Sequence, residues 1–256
     1  MHGFFAVFRK EMSNFFISPI AYSIIAIFLL ISGLFFAVYV WGMADISIKV
    51  AGNPMYAERI NSTDLIVRPL VQNMAIILLF VMPLLTMRLF SEEKKSGTIE
   101  LLLTYPIDDS AFVFGKFLAA LALLIIMLLG TFTFPILLAS LTQPDFGVMT
   151  SGYLGLFLMG AAFMALGTFI SSLTENQIVA SAISFGAAIL FWVLSWTSSF
   201  VSESTGAVIK QLSILEHLES FNKGVLTAPD LSFFILFIAF FLFLSLRSLE
   251  THRWRG

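Results

Sequence analysis

Apolar and polar positions along this chain are organised on two scales. On the coarse scale, long charge-free runs recur at 20–40, 70–87, 117–141, 152–173, 178–199 and 231–249. Each approaches the roughly 20 apolar residues that carry a helix across a bilayer core. The sixth has 16 residues between Asp230 and Arg247, enough to span if Arg247 extends its stem to the interface. The pattern predicts an all-α membrane protein with six transmembrane helices, organised as one membrane domain over 1–256.

On the fine scale, residues 1–19 read as a surface helix. Phe4, Phe5, Phe8, Met12, Phe15 and Phe16 fall within an arc of about 120° at helical periodicity. Arg9, Lys10, Ser13 and Asn14 occupy the other side. Such an amphipathic helix lies in the membrane interface, and Pro19 breaks it before the first span. The alternative is that these residues simply begin span one. Two outer segments, 42–69 and 200–229, are long enough to fold. In the second, Val208, Leu212, Leu215 and then Leu218 or Glu219 trace a helical stripe, which predicts short amphipathic or re-entrant helices before the last span.

Within the spans, Pro83 and Pro135 mark expected kinks. Ala180, Ser184 and Ala188, with Ala182 and Gly186 alongside, permit close helix approach, either inside the subunit or at a dimer seam. Trp192 and Trp196 read as interface anchors.

Composition supports the membrane reading. The chain is 59% hydrophobic and 12% charged, against about 25% charged in soluble domains. It carries no basic surface for nucleic acid, and its lack of cysteine excludes disulfides and thiolate metal sites. Arg9 and Lys10 before an apolar run could suggest a signal peptide, but the run is much longer than an h-region. Arg9, Lys10, Arg88, Lys94, Lys95, Lys116, Arg247, Arg253 and Arg255 fall on the side of the termini. Lys49, Arg59, Arg68, Lys210 and Lys223 fall opposite. The positive-inside rule therefore places both termini in the cytoplasm.

Candidate chemistry is sparse. No ionisable residue lies in a span away from its ends, which argues against an ion-coupled transporter. His2, His217 and His252 show no metal spacing, and no catalytic constellation forms. The nearest approach to a phosphate-binding loop, Gly115-Lys116, has Ser110 and Phe117 where that loop requires Gly and Ser/Thr. Catalytic and metal residues are thus none.

The exception is the polar interruption at 91–109, SEEKKSGTIELLLTYPIDD. Ser96 or Thr98 can cap a helix, and Glu100 complements its N-terminus. Ile99, Leu102 and Leu103 share one face. Pro106 ends the element, and Asp108 or Asp109 can cap the next helix. The result is an apolar ridge that packs on the bilayer, on the protein's own helices, or under a soluble partner.

The run Glu92-Glu93-Lys94-Lys95-Ser96-Gly97-Thr98-Ile99-Glu100-Leu101-Leu102-Leu103-Thr104, followed by Pro106 and Gly115-Lys116, resembles the loop between spans two and three of type-2 ABC exporter permeases. Ser171-Ser172-Leu173-Thr174-Glu175-Asn176-Gln177 resembles their tight hairpin between spans four and five. His217, Phe221, Gly224 and Asp230, with Leu249-Glu250 and Arg253-Trp254, resemble the gliding-motility-associated branch. The resemblance implies a coupling helix, with Glu92, Glu93, Gly97, Thr98, Ile99, Glu100, Leu102, Leu103 and Pro106 seated on an ABC ATPase subunit. It implies a second contact at Thr174, Glu175, Asn176 and Gln177. It also implies a bacterial inner-membrane permease paired with a second permease subunit, as homo- or heterodimer, with a further outer-domain subunit in some systems. No cofactor binds this chain on that reading; ATP-Mg is held by the partner ATPase. The charge-free spans favour a lipid-like cargo, and the alternative is a mechanotransmission or scaffold subunit that moves none.

Overall fold

The computed structural model describes residues 2–50, 61–98, 108–197 and 202–253. The first helix, His2–Ile17, stops at Ser18, and span one, Pro19–Val50, starts at the next residue. Pro19 has no N–H to give and so fits the first turn of a new helix. The N-terminal segment is therefore a helix of its own. Span one has 32 residues, about 48 Å at 1.5 Å per residue. It runs well past the expected end at 40, and past a hydrocarbon core of about 30 Å.

Spans two and three are both broken. Span two, Thr63–Lys95, joins a π-helical turn (Thr63–Val67), a helix (Arg68–Thr86) and a short helix (Arg88–Lys95). Pro83 sits in the last turn of the middle piece, just before the break at Met87. Span three, Asp109–Leu141, is helical over Asp109–Gly130, turns at Thr131 and Phe132, and resumes at Thr133–Leu141. Pro135 cannot donate to the Thr131 carbonyl, which instead accepts from Phe134 N (3.0 Å) and the Tyr153 hydroxyl (3.1 Å). Span three also starts upstream of the expected 117. Lys116 consequently lies two turns inside the helix instead of at its mouth.

Span four, Phe146–Leu173, is the axis of the fold. Asp145 caps it by accepting from Gly147 N at 2.8 Å and Val148 N at 3.3 Å. Within its most apolar window 78% of residues are buried, against 22% in spans one and five. Span five is Gln177–Thr197 and span six Ala228–Thr251. Span four packs on spans two, three, five and six, and it does so through small residues. A methyl group at Gly160 would lie 2.6 Å from Leu124 of span three, and one at Gly167 would overlap Thr86 of span two.

The outer segment before the last span holds short helices, as expected: Glu203–Gln211 and Ile214–Asn222, with a break at Leu212 and Ser213. Several expectations change. Val208 and Leu212 are exposed, and the buried face is Ile214, His217, Leu218 and Phe221. Trp192 is buried against the core instead of anchoring an interface, while Trp196 is 60% exposed. Ala180, Ser184 and Ala188 are buried within the subunit, whereas Gly186 faces open space. Trp254 lies outside the described residues.

With six spans the termini share one end of the bundle, here called basal; the helices Glu203–Gln211 and Ile214–Asn222 lie at the other, distal end. Gly167→Ala is expected to lower the melting temperature in detergent, because Thr86 is fixed to the Met82 carbonyl and overpacking costs about 1–3 kcal/mol. Gly186→Ala, with nothing within 4 Å of the added carbon, should leave it unchanged or raise it.

Candidate coupling site at the basal end

The basal end is assembled around the short helix Arg88–Lys95. It closes with Gly97 at φ 68°, a left-handed conformation that glycine adopts without strain. Ser96 N donates to Glu92 O and Gly97 N to Lys94 O. The Ser96 and Thr98 hydroxyls both donate back to the Glu93 carbonyl, at 3.2 and 3.4 Å. They finish the outgoing helix in this arrangement.

This helix is bolted to the end of span four. The Ser171 hydroxyl accepts from Phe90 N (3.1 Å) and Ser91 N (3.2 Å), and it donates to Met87 O (3.0 Å). Phe90 N lies in the first turn of the helix, where N–H groups have no intrahelical partner. Lys94 Nζ donates to the Ser172 carbonyl at 2.5 Å, and the Ser248 hydroxyl of span six reaches the same oxygen at 3.2 Å. The 91–98 segment and the hairpin after span four, separate in sequence, are thus adjoining parts of one surface.

Beneath that surface lies a cluster of four charges. Lys116 is 1% exposed. Its ammonium is 2.7 Å from Glu11 of the N-terminal helix and 2.9 Å from Glu93 of span two. The other Glu93 oxygen accepts from Lys10 at 2.8 Å. The rings of Phe90 and Phe112 stand 5.4 and 5.0 Å from the same ammonium, close enough for cation–π attraction. Two positive and two negative groups cancel, which is what low-polarity surroundings demand. Room for the approach comes from Gly115, where a side-chain carbon would fall 2.9 Å from Val7. The inner face of the N-terminal helix is therefore Val7 and Glu11, with its phenylalanines half-buried or exposed around them.

Of the residues expected to couple, Glu92 is exposed, Glu93 is buried in the cluster, and Gly97 and Thr98 are exposed at the rim. Ile99, Glu100, Leu102, Leu103 and Pro106 lie outside the described residues. Asp108 stands at the N-cap position of the next helix without a side-chain cap bond. In the hairpin, Glu175 and Asn176 are exposed and Thr174 and Gln177 half-exposed. Asn176 caps span five by accepting from Ile178 N at 2.9 Å. Sequence reasoning missed Glu11, and it treated Lys10 and Lys116 only as surface charges. The available signal was an acid four residues after Val7 on a phenylalanine-rich helix, with a lysine immediately before the third apolar run.

The distal end holds a second polar knot. His217 Nδ1 is 2.6 Å from Asp230 Oδ1, and His217 Nε2 is 3.0 Å from the Gln211 carbonyl. The ring thus bridges a carboxylate on one side and a backbone carbonyl on the other. The ring stacks on Phe233 at 4.0 Å. Phe221 is fully buried, and Gly224, at φ 84°, lies against Val148 of span four.

A family model described as ABC-2 family transporter protein matches residues 5–247. The chain belongs to that family. A search of curated proteins gives no match. As an ABC-2 family permease it is a multi-pass transmembrane component of an ABC transporter, and both polar knots fall inside the matched region.

In this ABC-2 protein Lys116 is the group whose loss leaves most uncompensated. Breaking a buried pair from one side costs about 3–5 kcal/mol. Lys116→Met should therefore unfold in detergent at a markedly lower temperature. Adding Glu11→Gln restores charge balance, because Lys10 still answers Glu93, so the double variant should recover at least half of the loss. A double variant no more stable than the single one would show that charge balance is not what holds the cluster.

Proposed function

We propose that this chain is the membrane-spanning permease subunit of an ATP-driven exporter in a bacterial inner membrane. Two such subunits pair, as homo- or heterodimer, and a separate ABC ATPase docks on each. Both termini and the basal end face the cytoplasm, in keeping with the excess of Lys and Arg there. Segment 91–109 then carries the coupling helix, with Ile99, Leu102 and Leu103 as the apolar ridge under the ATPase and Glu175 to Gln177 as a second contact. ATP-Mg binds and is hydrolysed on the ATPase, not on this chain.

The observation that carries this reading is the anchoring of the segment's first end. Glu93, Lys94 and the backbone at Phe90 and Ser91 are tied to the N-terminal helix, span three and span four. A push delivered at such a point moves several helices together, as a rigid-body shift requires. At the distal end His217 pairs with Asp230, while Phe221 and Gly224 pack against span four; that all four have a structural role supports placement in the gliding-motility-associated branch. Between the basal cluster and the distal pair the spans carry no charged side chain, which favours a lipid-like or amphipathic cargo.

A second reading is favoured by the length of span one, which extends beyond a bilayer core. The subunit would then pass ATPase motion to an outer-domain partner without moving cargo. Proteoliposomes containing the permease and its co-expressed ATPase separate the two: ATP use without release of reporter lipid selects the second. In the same preparation Leu102→Glu is expected to leave the spans inserted and to abolish ATPase co-purification. Recovery of the ATPase at wild-type yield would overturn the coupling assignment.

A further inference from the structure

A cavity of about 320 Å³ opens at the basal end between the N-terminal helix, span one and span two. Along span two its wall presents Leu84, Arg88 and Glu92, spaced four residues apart and hence about 6 Å apart along one helical face. Across from them Ile17, Ile20 and Ile24 continue the apolar wall into the membrane. Leu84, Ile17 and Ile20 are all at least 40% exposed. The cavity is therefore graded: apolar at depth, then cationic, then anionic toward the aqueous side.

Arg88 is under-used within the protein. Its Nε is buried with no hydrogen-bond partner. One terminal nitrogen reaches the Ser18 hydroxyl at 3.4 Å, and Nε makes only a loose ion pair with Glu92, 3.8 Å away and beyond hydrogen-bond distance. The other lining carboxylate, Glu11, is committed to Lys116. A guanidinium with spare donors arranged as a planar fork recognises phosphate, and its depth at the end of an apolar span is that of lipid phosphates.

We infer that this cavity binds a phospholipid whose headgroup carries a primary ammonium. Its phosphate lies on Arg88, its ammonium on Glu92, and the start of an acyl chain lies along Leu84, Ile20 and Ile24. The order acyl, phosphate, ammonium from the membrane outward reproduces the order Leu84, Arg88, Glu92 along the helix. A lipid seated there packs the N-terminal helix against spans one and two. The assignment requires neither an ATPase nor transport, so it stands or falls separately from the function proposed above.

The test is native mass spectrometry of the purified full-length protein with equimolar phosphatidylethanolamine, phosphatidylcholine and phosphatidylglycerol. Wild type should retain phosphatidylethanolamine preferentially. Arg88→Gln should lower that retention about tenfold, the loss of one charge-assisted contact. Glu92→Gln should remove the preference over phosphatidylcholine, whose quaternary ammonium has no N–H to donate. Arg247→Gln, at another exposed basal arginine, should behave as wild type. Leu84→Trp fills the apolar end and keeps both charges; it should also lower retention, and it decides the matter if Arg88→Gln does not fold. Equal retention of phosphatidylglycerol by wild type overturns the ammonium assignment. Retention by Leu84→Trp at the wild-type level overturns the cavity as the site.

Discussion

A charge taken out of water must be met by its opposite, and the basal half of this protein is arranged around that demand at Lys116. The ammonium is almost wholly enclosed, so its position is tolerable only while Glu11 and Glu93 are held against it. Those two acids come from the N-terminal helix and from the end of span two. Satisfying one lysine thus fixes three elements relative to each other. The glycine at 115 follows from the same demand, since the N-terminal helix cannot come close enough over a larger residue.

The second organising constraint is steric. Span four must touch four other spans, and a helix contacts that many neighbours only if its surface is low in places. Gly160 and Gly167 make those depressions, and Leu124 and Thr86 fill them. Spans one and five, by contrast, keep large apolar side chains outward, where lipid or another subunit covers them. The interior is therefore spans two, three and four, and two of these three are broken helices. Breaks there release backbone groups that side chains must satisfy, which is the role of Ser171 at Met87 and of Tyr153 at Thr131.

Much of this was legible in the sequence. Charge-free runs located all six spans because the cost of a charge in lipid is large and local. Pro19 and Pro135 marked real interruptions, since a missing N–H acts within one turn. What was not legible depends on distance through space. Lys116 looked like an ordinary boundary lysine, because nothing local reveals that Glu11, 105 residues away, comes to meet it. Trp192 was misread for a related reason: tryptophan suits both a core and an interface, and only the neighbouring helices decide. The short outer helices were legible from the stripe beginning at Val208, but periodicity does not see the turn at Ser213 or which face is buried. The pattern His217, Phe221, Gly224 and Asp230 could be noticed, but not its geometry.

Span one turns this arrangement into a lever. Its lower end meets the N-terminal helix beside the charge cluster, and its shaft is one uninterrupted helix. For a rigid rod of about 48 Å, a tilt of about 5° at the base displaces the tip by about 4 Å. An unbroken helix loses little of that travel to bending, whereas spans two and three can yield at Met87 and Thr131. Mechanical amplification toward the far side of the bilayer thus belongs to lightly buried span one, and compliance belongs to the broken interior spans two and three.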